Sequence, residues 1–412
     1  MLPANKRLHV IIQITIVFTG FLLFGLSENI RGPAVPRIQA DFQLEEWQIG
    51  HLFAINSLGF LIACSFTAYL TRHWGLKTVT QLTFGLMALS GVLIYFSRNF
   101  EALSGAYFLL YIGNGMLEIV LALIATRIFV KNTGTMMNLA HFFYGLSSIA
   151  APMIATGVME LTIGGVVLDW RGMYAVILAL CVLPMIPAFY TRFAEQPMEE
   201  EEPLSVKRLL RDPVIWLISL LLSLGVIAEL SVGGWLIHYL ENGFGWSTLE
   251  ASKMLSAFFL FFTFARLILG PITDKIGYLL SIILFSALFS VLIIAGIYFG
   301  ERGAILIAIA GAGVAPVYPT ANAFIARRYR SGTDAAITVV VTIVGISGVL
   351  GNYAIGGVIS ITETYVSAVQ IPKSSLLAGL QAGFYFIAVC GIACSVITFY
   401  LYRYLKRRDE IL

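Results

Sequence analysis

Charge is scarce in this chain. Only 12% of its 412 residues are Asp, Glu, Lys or Arg, about half the share found in ordinary soluble domains, and 58% are hydrophobic. A water-facing surface of normal extent cannot be built from that, so a soluble globular protein is excluded. The net charge is only +3, and the basic residues are scattered through short connecting segments, so no nucleic-acid footprint can be drawn. Cysteine is scarcer still. Cys64, Cys181, Cys390 and Cys394 all lie in apolar stretches without the spacing of a disulfide framework or a zinc site, and read as small buried hydrophobes. No nucleophile with a base, no metal-ligand cluster and no Gly-rich phosphate loop stands at workable spacing, which argues against catalysis, a resident metal or a cofactor. Polar segments long enough to sense or signal are missing, which argues against a receptor. The first apolar run is long and lacks a small-residue cleavage pattern, unlike a removable signal peptide.

What the chain has is long hydrophobic runs. A spanning helix needs roughly 20 mostly apolar residues, and that rule places spans near 10–36, 48–71, 78–97, 102–127, 135–160, 172–193, 213–240, 251–273, 279–300, 303–326, 334–361 and 376–403. The expected class is an all-α membrane protein with twelve transmembrane helices. The second span carries Asn56 and Ser57 and the eleventh is rich in Gly and Thr, so both suit helices facing protein or a wet path. With the N-terminus inside, eighteen Lys and Arg fall in cytoplasmic segments and seven outside. The bias puts both termini on the cytoplasmic side of a cell membrane.

One connection stands apart. The stretch "FAEQPMEEEEPLSVKRLLRDP", residues 193 to 213, holds four successive Glu and a short basic run, a solvated hinge with a surface-lying piece. It divides the chain into residues 1–193, a linker 194–212 and residues 213–412. The two parts echo each other: "YLTRHWGLK" (69 to 77) follows the second span and "GPITDKIGY" (270 to 278) the eighth, while "YIGNGMLE" (111 to 118) is echoed by "IAGAGVAP" (309 to 316). Such repeats in transporters rock about a site at the bilayer midplane.

Gly270, Asp274, Lys275 and Gly277, preceded by Arg266, resemble the signature loop of the major facilitator superfamily. The resemblance implies two pseudo-symmetric six-helix bundles, and a conformational or gating role for these residues with Arg72 and Gly75 of the first copy. In that copy Ala68 and Thr71 stand where a Gly and an acid would be. A narrower resemblance is to fucose-permease-like sugar symporters, through "PRIQ" (36 to 39), "LE" (117 and 118) and "NLAHFFYGLSSIAAP" (138 to 152). It implies an acid in the fourth span as a proton or substrate group, which matches Glu118. It also implies an acid four residues before Pro36, where Gly32 stands, with Glu28 one turn earlier.

Charged residues in a spanning helix cost about 2.5–3.5 kcal/mol at its centre, so each needs compensation. Glu28 and Arg31, three apart, share a helix face: either they pair structurally, or Glu28 carries a proton while Arg31 tunes it or grips a ligand. Glu118 sits among apolar residues with no base in helical reach, a setting suited to taking a proton from one side and losing it at the other. Asn138, His141 and Tyr144 offer donors and acceptors for hydroxyls. Around Gly233 and Gly234, where a helix break is expected, stand Glu229, Trp235 and His238; Trp235 suits stacking on a sugar ring or an interfacial girdle. Asn322 and Asn352 are further substrate candidates, or packing residues. Arg266 reads as structural, and Trp246 as interfacial.

These residues fit a proton-coupled symporter for a small polar solute such as a sugar, with Na⁺ as the other candidate coupling ion. The alternative is a proton-driven exporter of amphipathic drugs or lipids, consistent with 29 Phe and 11 Met. The expected partners are the solute and the bilayer, and the expected state is a monomer.

Overall fold

The computed structural model describes residues 4–129, 133–191, 193, 206–329, 333–369 and 374–410. They divide into two compact units: Met1–Gln43 with Ile55–Met198, and Leu44–Ala54 with Glu199–Leu412.

In the first unit, α1 (Ala4–Asn29) is followed by α2 (Arg31–Phe42), and α3 (Glu46–Phe96) enters it at Ile55. Then come α4 (Phe100–Ile128), α5 (Thr133–Met159), the strands β1 (Thr162–Ile163) and β2 (Val166–Val167), α6 (Asp169–Ala179) and α7 (Val182–Tyr190). Helix α1 packs against α4 and α5. The second unit holds α8 (Val206–Leu209), α9 (Pro213–Phe244), α10 (Thr248–Ile276), α11 (Tyr278–Tyr298), α12 (Ala304–Val314), α13 (Val317–Arg328), α14 (Thr333–Ala368) and α15 (Ser375–Lys406), with a 3₁₀ turn Gly300–Gly303 before α12. Here α15 packs against α9, α11 and α14, and α10 against α12.

Eleven of the described helical segments are long and apolar enough to cross a membrane. One of them, α3, has 51 residues, about 77 Å at 1.5 Å per residue against a hydrocarbon core of about 30 Å, so it holds two spans. They meet at Gly75, whose φ of 79° and ψ of 148° lie outside the helical region. The lipid-facing design is plain on α11: Leu280, Leu284, Leu288 and Val291 form an exposed apolar stripe, while Ile282, Ser286, Phe289 and Ile293 are buried. Both sets repeat every three to four residues, and only a hydrocarbon solvent tolerates the first.

Among the described residues three spans are broken, each four residues before a proline. Asn29 precedes Pro33, Leu180 precedes Pro184 and Ala315 precedes Pro319, and the helices end at Asn29, Ala179 and Val314. Proline lacks the N–H that would close the helical bond to the carbonyl four residues back, and its ring crowds that carbonyl. The break expected at Gly233 and Gly234 is absent: α9 runs unbroken through both. Those glycines serve close packing instead, since a Cβ at Gly234 would lie 2.8 Å from the Phe53 ring. The β1–β2 hairpin, turned by Gly164 and Gly165 at positive φ, is an addition to the expected all-helical chain. A Gly-Gly pair suits the two-residue turn it makes.

Candidate functional site

The break before Pro33 sets Glu28 and Arg31 on either side of a helix joint, inside the first unit. Both are buried, at 7% and 6% exposure. Arg31 Nη1 lies 3.2 Å from Glu28 Oε1 and donates to Tyr111 Oη at 3.2 Å, while Tyr111 Oη donates to Glu28 Oε1 at 3.4 Å. Asn114 Nδ2 donates to Glu28 Oε2 at 3.4 Å and its Oδ1 accepts from Ser27 Oγ at 2.9 Å. An acid, a base and a phenol thus close a ring between the α1–α2 joint and α4, and an amide on α4 is bonded to the acid's other oxygen. A second amide, Asn29, donates to Gly25 O at 2.8 Å and to Ser148 Oγ on α5 at 3.0 Å. The α1–α5 approach depends on Gly25, where a Cβ would come within 2.4 Å of Tyr144 O.

Glu118 lies one helical turn beyond Asn114 on α4, half-buried, within electrostatic reach of Glu28 and in no ion pair among the described residues. Glu28, Asn114 and Glu118 therefore form a ladder of polar groups along one bundle. Tyr144 is half-buried with its ring centroid 5.1 Å from that of Phe24. His141 is exposed, 4.9 Å from the Phe21 ring. The side chain of Asn138 lies outside the described residues.

Residues 17–352 match the profile of the Major Facilitator Superfamily. The chain belongs to that superfamily. It is a multi-pass membrane transporter, not an enzyme. It is 20% identical over 309 residues to Bypass of stop codon protein 6 of Saccharomyces cerevisiae, a match covering 66% of this chain and 60% of that protein; the chain thus spans about three fifths of that relative's length. A solved structure of a bacterial homolog of the human lysosomal transporter Spinster, inward-facing and occupied, is 13% identical, with 98% of each chain covered and a TM-score of 0.78. The E. coli fucose:proton symporter FucP is 16% identical, with 95% of this chain and 98% of FucP covered and a TM-score of 0.62. At these identities the structures establish the shared fold.

Most of the remaining candidates of this facilitator belong to its second unit. Glu229 and Arg266 approach to 3.8 Å. Arg266 Nε donates to Ala315 O at 3.1 Å, the carbonyl that Pro319 cannot serve, and its guanidinium lies 4.1 Å from the Phe262 ring. Asn352 Nδ2 donates to Gly348 O at 3.0 Å, within its own helix, and Asn322 Oδ1 is buried without a hydrogen-bond partner among the described residues. Trp235 is buried, its ring perpendicular to that of Phe53, so no face of it is open to a solute. His238 is fully buried and bonded to Glu46. In the loop regions, Arg72 and Lys275 are exposed and nothing crowds Gly270, while the Asp274 side chain lies outside the described residues. Gly277 has φ 91° and ψ 148°, matching Gly75. Sequence reasoning passed over Tyr111 and Asn114. The signal for them was the spacing of Tyr111, Asn114 and Glu118, which puts three polar side chains on one stripe of an apolar helix.

Proposed function

We propose that this facilitator is a proton-coupled symporter of a small hydroxylated solute such as a sugar, working by alternating access, with Glu28 and Glu118 carrying the proton and Arg31, Tyr111 and Asn114 engaging the solute. The observation that carries the reading is the buried ring of Glu28, Arg31 and Tyr111, with Asn114 bonded to Glu28. It offers both donors and acceptors, as hydroxyl recognition requires, and couples them to a carboxylate whose charge is balanced by a single guanidinium. Protonation of Glu28 releases Arg31 from its partner and changes what the ring presents to a solute; Glu118, further along the same helix, provides the next station for the proton. We place both termini in the cytoplasm of a cell membrane, with residues 1–193 and 213–412 as the two bundles, acting as a monomer.

The test is uptake into proteoliposomes under an imposed pH gradient, with radiolabelled L-fucose, D-xylose and a nucleoside, and a parallel Na⁺ gradient. Accumulation of one of these with the proton gradient supports the reading. In that case Glu118→Gln is expected to abolish accumulation and to retain counterflow exchange of the same solute. Equal accumulation by the variant removes Glu118 from the mechanism. Failure of all three solutes, with proton-driven extrusion of an amphipathic dye, establishes export instead.

A further inference from the structure

We propose that His238 is a proton-binding site in the second unit, loaded at Nδ1 through Asn242 and paired at Nε2 with Glu46. The imidazole is wholly buried, yet each nitrogen has a partner of different character. Nε2 lies 3.0 and 2.9 Å from the two carboxylate oxygens of Glu46, itself only 3% exposed. Nδ1 lies 2.7 Å from the side-chain amide of Asn242, which is exposed to the surroundings. One nitrogen therefore faces a buried anion and the other faces a group in contact with solvent.

An amide is suited to that second position because it serves either protonation state. With the imidazole neutral, Asn242 Nδ2 donates to Nδ1 and Nε2–H donates to Glu46. When Nδ1 takes a proton, the amide turns over and its Oδ1 accepts from Nδ1–H. The proton comes from solvent and stays on the ring, and no other bond forms or breaks. A carboxylate on the far nitrogen then converts a neutral hydrogen bond into a charge-assisted one.

Titratable groups lie on each of the neighbouring stretches. Glu45, Glu46 and His51 come from residues 44–54 and Glu241 and Tyr239 from the same helix as His238. Glu363 and Tyr353 come from α14, where Glu363 is within electrostatic reach of His238, Glu46 and Glu45, and Tyr353 Oη is bonded to His51. The ring of Trp235, 5.7 Å away, closes the apolar side. Residues 44–54 lie hard against α14, since a Cβ at Gly50 would meet Asn352 O at 2.7 Å and Gly356 Cα at 3.0 Å. Proton uptake at His238 therefore fastens this segment more firmly within its unit.

The test uses the full chain in lipid nanodiscs with ¹⁵N-labelled histidine, the His238 signal being identified by its loss in His238→Gln. The expected wild-type spectrum is the Nε2–H tautomer at pH 8 and the imidazolium at pH 5, with the imidazolium signal lost at pH 5 in Glu46→Gln. Hydrogen exchange of residues 46–54 at pH 5 is expected to be slower in wild type than in His238→Gln, with no such difference at pH 8. A wild-type His238 that stays neutral at pH 5, or a Glu46→Gln protein that titrates as wild type does, overturns the proposal. The wild-type spectrum, assigned through His238→Gln, decides the matter even if Glu46→Gln does not fold.

Discussion

Tyr111 supplies the smallest change that interrogates the ring in the first unit. Its hydroxyl accepts from Arg31 and donates to Glu28, so Tyr111→Phe leaves two buried charged groups each short of one bond. Bonds to charged groups contribute about 1.5–3 kcal/mol, and a fall in thermal unfolding temperature of that worth is expected. An unchanged melt would mean the phenol is a spectator. Removing the charge itself does more: Glu28→Gln leaves Arg31 buried beside a neutral amide, and breaking a buried pair costs about 3–5 kcal/mol. Glu250→Gln is the comparison, because Glu250 sits in an exposed capping box with Ser247 that Gln also satisfies. Equal losses in the two variants, read by unfolding in detergent, would reduce Glu28 to an ordinary surface acid. The Glu28–Arg31 pair was legible in the sequence because three residues of separation suffice to share a helix face. The Glu46–His238 pair was not, for its members lie 192 positions apart and no periodicity joins them.

Among the helices, Pro33, Pro184 and Pro319 follow span breaks that must be repaired, whereas Pro152 and Pro271 sit inside unbroken helices. Arg266 repairs one break by donating to Ala315 O, which gives a double-mutant cycle its content. With Pro319→Ala the backbone N–H of residue 319 returns, Ala315 O regains a helical partner, and Arg266→Ala should cost less than it does in the wild-type background. A coupling of about 1 kcal/mol is expected from chemical or thermal unfolding; strict additivity would show that the arginine serves only Glu229. The contrast with Gly233 and Gly234 is instructive. Both glycine and proline are read as helix breakers, yet glycine only lowers helix stability by about 1 kcal/mol, which packing against Phe53 and Phe259 offsets, whereas proline removes a donor outright. Gly25→Ala is expected to melt several degrees below wild type, because its methyl meets the Tyr144 carbonyl, which cannot swing away, as well as the Ser147 hydroxyl.

For the molecule as a whole, the all-α membrane fold was legible from hydropathy, since bilayer thickness sets helix length. That residues 44–54 group with the second unit was not legible, because a contact partition depends on side chains that meet far apart in sequence. It carries a prediction: fragments 1–198 and 199–412, expressed together, are expected to copurify in mild detergent through that segment, and separate elution would contradict it. The proposed orientation is checked by fusions at Leu412, where green fluorescent protein should fluoresce and alkaline phosphatase should stay inactive. Gly75 and Gly277 bear on origin. Both adopt a backbone geometry open to almost no residue with a β-carbon, at matching points of the two halves, while Arg72 and Lys275 beside them differ. A duplicated ancestral gene leaves such a mark: two copies diverge wherever side chains are interchangeable and stay alike where only hydrogen fits. Residues 69–77 and 270–278 should accordingly be transplantable into one another's places.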